Sequence, residues 1–202
     1  MKAVRKFLAI AMVLYAPASL ALIAYLVSNT HAGYVLGVKI GLIDNAGITE
    51  FQKNTVAHHM RLDRNLTDGR LVFLGDSHIL GLDTMQVAPD GVNFGIGGET
   101  TAGLLARVGR YKSVRQARGV VIGIGFNDFG RHESGQTVDN VRRILARISV
   151  PVVLCGILPV APGGAENPAA AKLNAAIASI NSDLRSICTK DCIFADPDPI
   201  FA

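Results

Sequence analysis

The residues with the most chemical promise in this chain sit in glycine-rich turns. Gly75-Asp76-Ser77 closes the apolar run Leu71-Val72-Phe73-Leu74 and opens a helix-like stretch, so a serine hydroxyl stands where a parallel strand ends and a helix begins. A hydroxyl at such a place can serve as a nucleophile. Two further turns, Asn93-Phe94-Gly95-Ile96-Gly97-Gly98-Glu99-Thr100 and Gly123-Ile124-Gly125-Phe126-Asn127-Asp128, follow other apolar segments and can bring hydrogen-bond donors to the same sheet edge. Taken singly these signals are unspecific, because Gly-Asp-Ser commonly makes a turn and a lone Gly-x-Gly more often serves tight packing. A dinucleotide loop is disfavoured: no glycine completes Gly-x-Gly-x-x-Gly, and the candidate loop follows the second strand instead of the first.

The elements that must position these turns are legible from Leu71 onward. Short apolar strands alternate with helical stretches, the pattern of a parallel sheet covered on both faces. Strands are expected at Leu71–Gly75, Val92–Phe94, Gly119–Gly123, Pro151–Ile157 and Cys192–Asp196. Leu173, Ile177, Ile180, Leu184 and Ile187 recur at helical spacing behind an Asn167 cap and Pro168. Val138, Val141, Leu145 and Ile148 form a similar stripe, with Thr137 at its start. These stripes read as core. In an open parallel sheet ligands gather outside the carboxyl ends of the strands, so Ser77, Gly98 and Asn127 are expected to converge there from three loops.

In this order and spacing, the blocks Phe73-Leu74-Gly75-Asp76-Ser77, Asn93 to Thr101, Gly125-Phe126-Asn127-Asp128 and Ile157-Leu158-Pro159 resemble the SGNH/GDSL hydrolase family over roughly residues 70 to 202. The resemblance implies a three-layer α/β/α sandwich around a five-stranded, flavodoxin-like parallel sheet. It implies acyl or acetyl ester hydrolysis, with Ser77 as the nucleophile that forms an acyl-enzyme. The Ser77 and Gly98 N–H groups and the Asn127 side-chain amide would make the oxyanion hole, where one preorganised donor is worth about 3–4 kcal/mol in the transition state. Asp76 and Asp128 read as loop-shaping acceptors. Glu99 replaces the aspartate common after the second-block glycine. No cofactor is implied, since acyl transfer by serine needs none.

The family's final Asp-x-x-His block normally follows the fifth strand. Here that strand is followed by Pro197-Asp198-Pro199-Ile200-Phe201-Ala202, and neither Asp196 nor Asp198 stands at the block's position. Slight activity is therefore expected, together with an uncovered apolar surface where a closing helix would lie. His78 directly follows the serine and is expected to project elsewhere. His132, with Glu133 beside it, is the alternative base, although adjacent residues make an awkward orienting pair. A non-catalytic binder of envelope carbohydrate or lipid, or an O-acyltransferase, are the competing functions.

Composition bounds the remainder. The 202 residues are 50% hydrophobic and 18% charged, enough for one core plus an appendage. Lys2, Arg5 and Lys6 precede an uncharged stretch over residues 7–27, close to the roughly 20 residues a membrane-spanning helix needs. Residues 1–32 are therefore read as a signal anchor, 33–70 as a connector with a helix, and 71–202 as the hydrolase-like domain. The charge bias puts that domain outside the cytoplasm, in the periplasm of a Gram-negative cell, with secretion after cleavage near Thr30-His31-Ala32 as the alternative. In the connector, Thr49 and Gln52 have capping-box spacing, Phe51, Val56 and Met60 are read as one face, and His58 and His59 as surface histidines. The net charge of +4 comes without basic runs interleaved with aromatics, which argues against nucleic acid. Cys188 and Cys192 can form a disulfide in an oxidising compartment, Cys155 reads as a buried thiol, and the spacing of the three does not suit zinc.

Overall fold

The structure is a computed structural model of the chain. It describes residues 49–131, 134–161, 168–197 and 199, together with Tyr15, Ser19, Leu22 and Tyr25. The chain divides into two compact units, Met1–Gly47 and Ile48–Ala202. The four described residues of the first are helical, and the Ser19 hydroxyl donates to the Tyr15 carbonyl one turn back. The stretch over 7–27 otherwise lies outside the described residues, as do Thr30-His31-Ala32, and among the described residues no helix is long and apolar enough to cross a membrane.

The second unit opens with helix α1 (Glu50–Asp63), then alternates β1 (Leu71–Gly75), α2 (Ser77–Leu80), α3 (Thr84–Val87), β2 (Val92–Gly95), α4 (Thr101–Arg107), α5 (Lys112–Arg115), β3 (Gly119–Gly123), α6 (Ser134–Leu145), β4 (Val152–Cys155), α7 (Pro168–Ile187) and β5 (Cys192–Ala195). The five strands are all parallel in the order β2-β1-β3-β4-β5, the flavodoxin-like arrangement.

Side chains alternate between the two faces of each strand. Val72, Leu74, Phe94, Val120, Ile122, Val152 and Leu154 point to one face, where they join Leu104, Val141, Ile144, Ile177, Ile180 and Leu184 of α4, α6 and α7 in a continuous core. At about 25 cal/mol per Å² of apolar surface, this layer supplies most of the driving force. The opposite face is covered by α2 at the β2–β1–β3 end, where Ile79 and Leu80 lie over the sheet. Toward β5 it opens: Val121 and Val153 are half-buried and Ile193 is 69% exposed in the same row.

Several local expectations need correction. The capping box forms, with Thr49 Oγ1 accepting from the Gln52 N–H and Gln52 Oε1 from the Thr49 N–H. The inward face of α1, however, runs through Gln52, Val56, His59, Met60 and Asp63, while Phe51 is exposed. His59 is buried against the Phe94 ring and only His58 is at the surface. Asp63 explains the docking of α1, because its carboxylate accepts from the backbone of Lys112 and Ser113 and from the Ser113 hydroxyl. Thr137 lies inside α6 instead of at its start, since that helix begins at Ser134. β4 is shorter than expected because the Ile157 N–H and carbonyl bond the Asn181 amide of α7 and not a strand. Asn167 lies outside the described residues. Cys188 and Cys192 form a disulfide between α7 and β5. Cys155 is a half-buried free thiol, and burial pushes its pKa up.

Candidate active site

The site is built on a row of glycines. Gly75 is in register with Gly95 on one side and Gly123 on the other, so the last residues of β2, β1 and β3 lack side chains on the face where α2 lies. A Cβ on Gly95 would stand 2.2 Å from the Leu80 nitrogen, and one on Gly75 would stand 1.9 Å from the Gly123 carbonyl oxygen. A side chain on Gly95 would collide with the α2 backbone, and one on Gly75 with the neighbouring strand and with the Ile79 side chain of α2. The Asn93 amide fastens α2 from the side, donating to the Ile79 carbonyl at 2.6 Å and the Leu82 carbonyl at 3.0 Å, while its oxygen accepts from the Gly95 N–H.

Ser77 is the first residue of α2 and is exposed. Buried Asp76 caps the helix: its carboxylate accepts from the His78 N–H at 2.9 Å and lies 3.0 Å from His78 Nδ1. This occupies Asp76 as a loop-shaping acceptor. The half-exposed His78 ring is turned onto Asp76 and meets the Phe126 ring edge-on. No described histidine is hydrogen-bonded to the Ser77 hydroxyl, for His78 Nδ1 faces Asp76 and His59 Nδ1 is buried without a partner. His132, Glu133 and Asp198 lie outside the described residues. Asp196 pairs with Arg185.

Gly98 adopts φ +70°, a left-handed conformation that favours glycine. Three bonds fix its loop. The Asn127 side chain donates to the Glu99 carbonyl at 3.0 Å, Gln52 Nε2 donates to the Gly97 carbonyl at 3.3 Å, and Arg131 reaches the Gly98 carbonyl. A primary amide carries two N–H bonds, so one hydrogen of Asn127 orients the group and the second remains to donate.

Beneath the loops lie two buried polar assemblies. Asp128 accepts from the Thr101 N–H at 2.9 Å, from the Thr101 hydroxyl and from Thr137, and the Asn140 amide donates to Thr101 Oγ1. Glu99 forms a bidentate pair with Arg107, at 2.7 and 2.5 Å, and Arg107 also donates to the Phe94 carbonyl and the Tyr111 hydroxyl. Burial pushes the Glu99 carboxyl up, with the two guanidinium bonds acting against it. Burial also works against the Arg107 charge, but its Glu99 bonds hold it protonated. Desolvation beside this guanidinium lowers the His59 pKa to about 4.

The sequence matches the family described as GDSL-like Lipase/Acylhydrolase over residues 73–202. The chain belongs to the GDSL-like lipase/acylhydrolase family. Solved structures of similar fold include a Streptococcus pneumonia protein provisionally named a platelet activating factor, with TM-score 0.66, 19% identity, and coverage of 83% of this chain and 82% of that one. A provisionally named acylhydrolase of Bacteroides fragilis has TM-score 0.58 and 25% identity, over 69% of this chain and 75% of its own. A GDSL-like lipase of Bacteroides thetaiotaomicron has TM-score 0.52 and 21% identity, over 70% and 77%. No protein of curated function matches the sequence.

In this GDSL-family chain, Ser77, Gly98 and Asn127 are carried on loops leaving three adjacent strands whose ends are in register. Adjacent strands lie about 4.8 Å apart, which brings the three loops to one place. Reading the sequence missed the supports: Asn93, Gln52, Thr101, and the pairing of Glu99 with Arg107. Arg107 carried one signal, a cation set among Leu104, Leu105 and Val108. Among the described residues no three His, Cys, Asp or Glu side chains gather as a metal site would require.

Proposed function

We propose that the chain is a serine-type hydrolase of carboxylic esters, with Ser77 as nucleophile and the Ser77 and Gly98 N–H groups and the Asn127 amide as oxyanion donors. The observation that carries this is the Asn127 amide, held by the Glu99 carbonyl with one hydrogen left to give. Ser77 Oγ bonds the carbonyl carbon, and the alcohol leaves with the proton the serine gave up. Water then takes the acyl group, releasing a carboxylic acid and restoring the hydroxyl. Charge on the carbonyl oxygen is met by donors already in place, so little reorganisation is needed.

The proton requires a carrier, and His132 is the candidate. Where no histidine serves Ser77, oxyanion donors and binding alone sustain roughly 10³–10⁴-fold over water, and turnover is slow. That same condition favours the second reading, a non-catalytic binder of carbohydrate or lipid. Hydrolysis of p-nitrophenyl esters by the wild type and by Ser77→Ala, with and without an added alcohol, separates the cases. Serine-dependent acid release supports hydrolysis, serine-dependent transfer to the alcohol supports an acyltransferase, and no serine-dependent product supports the binder. We further place the domain outside the cytoplasm on an N-terminal anchor, or secreted after cleavage. The Cys188–Cys192 disulfide suits such an oxidising compartment.

A further inference from the structure

We infer that the apolar notch over Gly97, walled by Phe51 and Leu80, receives the acyl chain of the ester, so that the substrates are medium- or long-chain esters in preference to acetyl esters. This rests on the reading of Ser77 as nucleophile. A Cβ on Gly97 would lie 3.7 Å from Leu80 Cδ2 and 3.8 Å from Phe51 Cε1, so two large apolar side chains from different helices approach one point above the loop. Both are exposed, Phe51 at 59% and Leu80 at 46%, and neighbouring Leu82 is 39% exposed.

An exposed leucine alone signals nothing. Here the walls are fixed and joined to the catalytic loops. Gln52, next to Phe51, is bonded to the Gly97 carbonyl, and Asn93 holds the Ile79 and Leu82 carbonyls on either side of Leu80. Leu80 lies three residues from Ser77 on α2, the spacing that places side chains on neighbouring parts of one helix face. Gly97 immediately precedes Gly98. An acyl group bonded to Ser77, with its oxygen at the Gly98 N–H, therefore starts beside this notch. The missing side chain at Gly97 leaves the space between the walls open. Gly97 is not among the left-handed glycines, so filling that space with a side chain does not strain the backbone.

The test measures the rate at which alkyl fluorophosphonates with two-carbon and ten-carbon chains label Ser77, followed by intact mass. Each methylene buried is worth about fourfold, so even partial burial of the longer chain predicts labelling at least about tenfold faster than the short one. Leu80→Asn, Phe51→Ser and Gly97→Val are each expected to lower that ratio several-fold. Gly97→Val also covers the case in which a wall variant fails to fold. Equal rates for the two chains in the wild type, or a ratio unchanged in folded variants, overturn the notch and leave Ser77 standing. Folded wild type that takes neither probe overturns the nucleophile reading, and the notch with it.

Discussion

The β2–β1–β3 half of the sheet and the β4–β5 half are made of similar apolar strands, yet their carboxyl ends are finished differently. At the first, the loops are tied to one another: Asn127 to Glu99, Thr101 to Asp128, Asn93 to α2. At the second, among the described residues, side-chain bonds tie the loop after β4 to its own following helix, through Asn181 to Ile157 and Asn174 to Val160, and the Gly156 N–H donates to the Ala195 carbonyl at the end of β5. Cross-tying fixes side chains from separate loops relative to each other, which oxyanion stabilisation demands. Tying a loop to its own helix fixes only that connection. The face behind the second half is also open, with Ile193 exposed, whereas the first half carries α2 on its glycine row.

The largest expected effect comes from breaking the support of the cross-tied half. Arg107→Met leaves the buried Glu99 carboxylate without its partner and should cost about 3–5 kcal/mol, read from urea unfolding. A cost under about 1 kcal/mol would mean that the pair does not hold the second loop. Next, Asn127→Ala should lower the rate of Ser77 acylation by about 10²–10³ with stability little changed. An unchanged rate would remove Asn127 from the site.

Asn181→Ala sharpens the contrast from the other half. It strands the buried Ile157 N–H and carbonyl and should cost about 1–3 kcal/mol, while Ser77 acylates at the wild-type rate. A parallel loss of acylation would show the two halves to be coupled. The smallest effect is in pH dependence. His59 titrates near 4 in the folded chain against an ordinary 6.5, so between these values the unfolded chain binds more protons and stability falls as pH drops. His59→Leu should flatten that slope between pH 6.5 and 4, and an unaltered slope would mean that His59 is not the group responsible.

The strands were legible as short apolar runs alternating with helical stretches, and their order followed from the family resemblance; that Gly75, Gly95 and Gly123 form the bed of α2 was not legible. The candidate residues Ser77, Gly98 and Asn127 were picked out through the family resemblance, each by its type within a turn. Their supports were not. Asp63 bonds residues 49 and 50 positions away, Asn127 reaches across 28 to Glu99, and His59 of α1 is buried against a phenylalanine of β2. Such partners are chosen by the folded geometry, and no local periodicity records them. Phe51 was read on one face with Val56 and Met60, but spacings of five and nine residues set it well round the helix from them, and it is exposed.

Peptide mapping of a fluorophosphonate adduct on the folded wild type tests Ser77 as the nucleophile. One adduct is expected, on Ser77, absent from a Ser77→Ala variant that unfolds at the same urea concentration. An adduct elsewhere, or a folded chain left unmodified at saturating probe, would contradict that role.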